Sequence, residues 1–339
     1  MKKIVKILLG FSVVGLFLVA YIYLGVFEKK IYLGEKKNTF FYIKSTDNIS
    51  DILNNLDSLE IASKRSFGWL SELRSFGGKN IYPGRYTLNH LMTYSDLVVY
   101  LRSGQIDEVT VTFNNVRTLS QLAKKVSKQI EPSYEELMNE LNSSEIYGYD
   151  ATTFPAVFIP NTYKVYWTTT AKEFVKRMLS EYKKFWNKKR RLKAKKMDLT
   201  MVEVSTLASI VQSEQMNYSD EWPIIAGLYF NRLQKGIKLQ SDPTVIYAWG
   251  DFSINRVYYK HLKIDSRYNT YKYKGLPPGP IRIPDTKVLD AVLNYKKHKY
   301  IFMCAKPEFS GKHSFASTNS EHEKNAKKYR AFLNKNKVR

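Results

Sequence analysis

Leu207-Ala208-Ser209-Ile210-Val211-Gln212-Ser213-Glu214 is the stretch on which the reading of the larger domain turns. Leu207, Ile210, Val211 and Glu214 stand at i, i+3, i+4 and i+7, so one helix face carries three aliphatic side chains and a carboxylate. An ionised carboxylate on a core-facing stripe costs several kcal/mol unless it is paired or opens into a cleft. Burial raises a carboxyl pKa and so suits it to proton donation near neutral pH. Pairing with a buried arginine, or capping a neighbouring helix, is the structural alternative.

Downstream, Ser219 or Asp220 is expected to cap a second helix, with Pro223 in its first turn and Gly236 at its stop. Ile225, Leu228, Tyr229 and Leu233 fall on or near one face of it. Beyond it the chain is rich in Gly, Pro, Asn and Tyr, the composition of loops that build sites on a scaffold. Asn231-Arg232-Leu233 ends the helix, and Leu239-Gln240-Ser241-Asp242-Pro243-Thr244-Val245-Ile246-Tyr247 reads as a loop feeding a short helix capped by Ser241 or Asp242. Tyr268-Asn269-Thr270-Tyr271 and Gly275-Leu276-Pro277-Pro278-Gly279-Pro280-Ile281 read as rigid turns, and Gly311-Lys312-His313-Ser314-Phe315 as a late polar turn. Each also has a structural reading: Asp242 before Pro243 as a turn and cap, the tyrosines as packing, the proline run as a connector.

Upstream, a long helical stretch is expected from Ala171 to about Lys196, its end carrying the basic run Lys183 to Lys196 as a solvated face. Residues 132–161 read as a linking segment. Between 38 and 131, short strands such as Phe40-Phe41-Tyr42-Ile43 and Val109-Thr110-Val111-Thr112-Phe113 alternate with short helices, and a turn at Tyr82-Pro83-Gly84 introduces another strand. Three similar helix starts recur, at Asn48, Thr93 and Thr118, each with Asp or Gln three residues on, as in a capping box. Their spacing is unequal, which excludes a solenoid.

Ile7 to Phe27 is one continuous apolar run. At about 1.5 Å per residue it spans a bilayer core of roughly 30 Å. It is longer than a signal-peptide core and ends among tyrosines, so an uncleaved transmembrane signal anchor is expected, with residues 1–6 as a cytoplasmic tail. The rest then lies on the extracytoplasmic side of the cell (inner) membrane. That placement governs the net charge of +23: an exported basic domain meets anionic lipid and cell wall, and no nucleic-acid motif accompanies the charge.

Cys304 is the sole cysteine, expected as a small buried strand residue, and no intrachain disulfide can form. His90, His261, His298, His313 and His322 lack metal-ligand spacing, so neither a metal nor a cofactor is expected.

From Phe154-Pro155 onward the chain resembles the endolytic murein transglycosylase, or YceG-like (MltG), family. The matching elements are Ile159-Pro160-Asn161-Thr162-Tyr163, Leu207 to Glu214, Asn231-Arg232-Leu233, Leu239 to Tyr247, Tyr268 to Tyr271 and Gly275 to Ile281, in order across about 150 residues. The resemblance implies an α+β fold: a transmembrane anchor, a small LysM-like αβ module over 38–131, and a linker with a larger catalytic domain over 132–339. It implies Glu214 as the catalytic residue of a lytic transglycosylase acting on peptidoglycan glycan strands, near peptidoglycan synthases. Asn231, Gln240, Asp242, Tyr268 and Asn269 are expected to hold sugars or to orient Glu214. Members commonly carry Ile-Val-Glu-Lys-Glu where this chain has Gln212 and a single glutamate, Glu214. If the first glutamate were the essential one, the chain would be a non-catalytic, membrane-tethered peptidoglycan binder.

Overall fold

The apolar run forms α1, Lys2–Ile22, which continues as a wider π turn, Tyr23–Phe27. Within Lys6–Phe27 the most apolar 18-residue window has a mean hydropathy of 2.4, and none of that window is buried against protein. The computed structural model describes residues 2–73 and 82–336. Parts of the expected cytoplasmic tail (Met1), αβ module (74–81) and C-terminal domain (337–339) therefore lie outside the described residues.

The chain forms two compact units, the first of residues 1–111, 129–132 and 163–169. It holds β1 (Asn38–Ile43), α2 (Ile49–Ser58), α3 (Lys64–Leu73), β2 (Gly84–Asn89) and α4 (Tyr94–Ser103). The antiparallel β1–β2 pair sets Phe41 opposite Tyr86 and Ile43 opposite Gly84. Period-2 alternation turns Phe41, Ile43, Tyr86 and Leu88 to one face, where Ile52, Leu56, Phe67, Leu70, Leu97 and Leu101 cover them. The capping boxes at Asn48–Asp51 and Thr93–Asp96 form as expected. Val26 and Phe27 pack against this core. The exit from the apolar helix is tied down by the Tyr94 amide on the Lys29 carbonyl at 2.8 Å and the Ile31 amide on the Met92 carbonyl at 3.0 Å.

The second unit comprises residues 112–128, 133–162 and 170–339. β3 (Glu108–Phe113) leads into it, followed by α5 (Leu119–Val126), α6 (Tyr134–Asn142) and β4 (Asn161–Tyr166). Thus residues 112–128 pack with the second unit, because Val116 pairs with Ile283 and α5 lies on α6. Thr118 caps α5 through the Gln121 amide, but the Gln121 side chain accepts from the Arg117 amide, so the third capping box is incomplete. The expected linking segment folds as α6 and two 3-10 turns, burying Phe154, Val157 and Phe158.

The long basic helix is two helices, α7 (Ala171–Phe185) and α8 (Lys188–Lys196). Trp186 is buried at the break, and the Asn187 side chain caps α8 by accepting from the Arg190 amide. Only Ala194 of α8 is buried, so most of its lysines are solvated.

Helix α9 (Met201–Glu214), capped by Thr200 and Glu203, contacts α10 (Trp222–Gln234), α11 (Asp242–Trp249) and α13 (Thr286–Leu293). The expected face is borne out: Leu207, Ile210 and Val211 are fully buried. The short α12 (Tyr259–Leu262) follows α11, while β5 (Phe302–Ala305), β6 (His313–Ala316) and α14 (Asn319–Lys335) close the chain. The late polar turn therefore ends where β6 begins, at His313. Gly227 on α10 allows a close approach: a Cβ there would lie 2.3 Å from the Lys296 carbonyl oxygen, so only glycine lets the chain entering β5 press against the helix.

Candidate active site

Glu214 ends α9 in the floor of a cleft of about 250 Å³, which Tyr229, Arg232, Gln240, Asp242, Tyr271 and His313 also line. Tyr229, on α10, donates its hydroxyl to Glu214 Oε1 at 2.6 Å. Ser241 donates to the same oxygen at 2.5 Å. Among the described residues Oε2 accepts no hydrogen bond, so one oxygen is held and the other is left to carry a proton. Burial pushes the Glu214 carboxyl above its ordinary value, against the two hydrogen bonds and His313, which pull it down; the Asp242 charge adds to the rise. Burial, and then Glu214 itself, push the Tyr229 hydroxyl well up, so it stays a donor.

The loop behind the carboxylate is fixed by backbone bonds. Gln240 adopts a left-handed conformation, φ 52°, and its amide bonds the Thr270 carbonyl at 3.1 Å. The Ser241 amide donates to Thr270 Oγ1 at 3.0 Å. Ser241 stands at the cap position of α11, but its hydroxyl serves Glu214 and makes no cap bond. Buried Arg232 holds the turn through the Lys238 and Leu239 carbonyls, and reaches the Ile301 carbonyl and Gln240 Oε1. Burial lowers its pKa, and among the described residues no carboxylate pairs with it.

Asp242 accepts the Tyr271 hydroxyl at 2.5 Å. Burial and that carboxylate raise the Tyr271 hydroxyl. Across the cleft, His313 Nδ1 bonds Glu221 Oε2 at 2.8 Å, and its backbone amide donates to Glu221 Oε1 at 2.9 Å. Gln215 Nε2 donates to the same Glu221 carboxylate at 2.9 Å, so the histidine is set by a residue adjoining Glu214 in sequence.

Of the residues expected at the site, Glu214, Gln240 and Asp242 come together in the cleft. Asn231 spends its amide on the carbonyls of His298 and Tyr300, positioning the chain into β5. Asn269 is fully buried; its amide donates to the Leu262 and Ile264 carbonyls while its oxygen accepts from the Tyr271 amide. Tyr268 packs on Tyr247, ring centroids 4.8 Å apart. Sequence reasoning placed Tyr229, Ser241 and Tyr271 in the right segments without their roles, and gave His313 none. Cys304, expected to be buried, is half-exposed and lines the cleft, because the β5–β6 hairpin forms one of its walls.

Gln212 lies about 200° around the helix from Glu214. It is buried, donates to Asp285 Oδ2 at 2.6 Å and accepts from the Asp285 amide at 2.9 Å. Its exchange for glutamate thus bears on the start of α13 and not on the cleft. Among the described residues, no three His, Cys, Asp or Glu side chains are grouped to hold a metal ion.

The profile of the YceG-like family matches residues 41–328. The chain belongs to this family. It is 28% identical over 305 residues to the endolytic murein transglycosylase of Bacillus subtilis strain 168, covering 84% of this chain and 82% of that one. A protein of the same name from Streptococcus pneumoniae serotype 2 is 27% identical over 284 residues, 73% of this chain; the match spans 50% of the pneumococcal protein's length. The crystal structure of a YceG-like protein from Listeria monocytogenes superposes with a TM-score of 0.56 at 26% identity, covering 86% of this chain and 99% of that one.

Proposed function

We propose that this YceG-like chain is an endolytic peptidoglycan lytic transglycosylase with Glu214 as its acid and base. The observation that carries this reading is the carboxyl group itself, raised by burial and held through Oε1 by Tyr229 and Ser241. Protonated Glu214 donates to the glycosidic oxygen between N-acetylmuramic acid and N-acetylglucosamine as the bond to C1 breaks. The resulting carboxylate, stabilised by the same two hydroxyls, takes the proton from the muramic C6 hydroxyl as that oxygen attacks C1. A 1,6-anhydro end forms, no water is consumed, and Glu214 is returned protonated. Hydrolytic glycosidases generally use two carboxyl groups. Here Asp242, the other carboxylate lining the cleft among the described residues, is engaged by Tyr271. Gln240 and Asp242 are assigned to sugar contact and His313 to the facing wall, while Asn231, Asn269 and Tyr268 support the loops that carry them.

We assign α1 with its π turn to a single-pass anchor, N-terminus cytoplasmic, the first unit from residue 38 onward to a LysM-like module, and the second unit, residues 112–128 included, to the catalytic domain. Such an enzyme cuts nascent strands within reach of the bilayer and near peptidoglycan synthases, which terminates their elongation. The direct packing of Val26 and Phe27 into the module supports a short, stiff attachment.

Incubating purified protein with glycan strands, wild type beside Glu214→Gln, tests the reading. Internal cuts by wild type and none by the variant are expected. Turnover retained in the variant would remove Glu214 from the mechanism; strand binding without cuts by wild type would make the protein a tether.

A further inference from the structure

A second cavity, of about 160 Å³, contains Arg117, Ser213, Met216, Pro243, Phe252 and Arg282. Ser213 and Pro243 immediately adjoin Glu214 and Asp242, so this cavity is built on the same ends of α9 and α11 as the bond-cleaving cleft.

Arg282 is 1% exposed, yet among the described residues no carboxylate lies within ion-pair distance of it or of Arg117. Its guanidinium donates to the Asn115 side-chain oxygen and, at 2.7 Å, to the Met216 sulfur, a weak acceptor. Arg282 Nε is buried and, among the described residues, has no hydrogen-bond partner. Asp285, the carboxylate whose charge reaches Arg282, is bound to Gln212. Burial and then the repulsion of Arg117 lower the Arg282 pKa. The Arg117 guanidinium sits over the Phe252 ring, 4.9 Å from its centroid.

A buried cation with a like charge beside it and only neutral acceptors is costly unless an anion completes it. The planar fork of a guanidinium matches a carboxylate, and the cavity admits a group of a few heavy atoms. A glycan strand that enters the Glu214 cleft carries such groups on the peptide attached to its muramic acid.

We propose that Arg117 and Arg282 form a subsite for a free carboxylate of that peptide, so that the enzyme reads peptide-bearing strands beside the bond it cuts. The proposal rests on the peptidoglycan reading above and adds a substrate preference to it.

The test uses the full chain carrying Glu214→Gln, so that binding is measured without turnover. A muramyl disaccharide-peptide, the same fragment with its carboxylates amidated, and the peptide-free disaccharide are titrated in turn. The acidic fragment is expected to bind about tenfold more tightly than the amidated one, the scale of one charge-assisted hydrogen bond. Arg117→Gln, at a half-buried position, should erase the difference even if Arg282→Gln impairs folding. Equal affinity for the acidic and amidated fragments overturns the subsite. So does inorganic phosphate shifting the Arg282 guanidinium resonance while N-acetylglutamate leaves it unmoved, which would assign the arginines to a phosphate group. The N-acetylglutamate titration reports on the arginines without wall fragments: a shift there, with no fragment bound, would spare the carboxylate subsite and overturn the peptidoglycan reading.

Discussion

Tyr229→Phe removes one oxygen from the enclosed floor of the cleft and leaves the ring that fills it. The lost bond is 2.6 Å long and ends on the oxygen that Ser241 also holds. A hydrogen bond to a charged group is worth about 1.5–3 kcal/mol. It is made most strongly once Glu214 has given up its proton, so its loss falls on the step that leaves a carboxylate behind. At about 1.4 kcal/mol per decade, kcat should drop roughly 10- to 150-fold while the protein remains folded. The pH profile gives a second, signed readout. Glu214 must be protonated to act as the acid, so activity is lost as pH rises through its pKa. Tyr229 lowers that pKa, so its loss should move the alkaline limb of kcat/KM to higher pH. Fragment release from soluble strands, followed across pH, measures both. An unchanged kcat with an unmoved limb, or a limb displaced to lower pH, would refute the assignment of Tyr229 as the carboxylate's donor.

Glu214→Gln should raise the Tm at neutral and alkaline pH, with the gain shrinking on acidification. The native carboxyl is raised above its unfolded value, so its contribution to stability is full at low pH and lost as pH rises through the folded pKa; a Tm below wild type at every pH would contradict this. Gln212→Glu would face the Asp285 carboxylate in place of the Gln212 amide nitrogen, now 2.6 Å away. A loss of about 1–3 kcal/mol is expected in urea unfolding at neutral pH, eased at low pH, and no loss would mean that the pair is not structural. Gly227→Ala brings a methyl to 2.3 Å from the Lys296 carbonyl oxygen. Overpacking of this kind costs about 1–3 kcal/mol, and an unaltered Tm would show that the β5 approach yields freely.

What could be read along the chain was what depends on near neighbours. Helical spacing put Glu214 on the face of Leu207, Ile210 and Val211, and all three are buried. Asn48 and Thr93 announced their helices because a capping box is closed within four residues. Asn187 carried a capping signal too, obscured by the lysines around it. The partners of the site are set by the fold instead. Ser241 reads as a cap, but its hydroxyl finds Glu214, 27 residues earlier. Asn231 and Asn269 look like sugar contacts until their amides are seen bound to backbone carbonyls. His313 pairs with Glu221 across 92 residues, with no local pattern to mark it.

A mechanism with one carboxyl group requires the muramic C6 hydroxyl, and not water, to attack C1. Cleavage of glycan strands in ¹⁸O-labelled water, read by mass spectrometry of the new ends, tests it directly. The expected products are 1,6-anhydromuramic ends with no ¹⁸O incorporated. Reducing ends carrying one ¹⁸O would contradict it, make the protein a hydrolase, and pass the second carboxylate's role to Asp242.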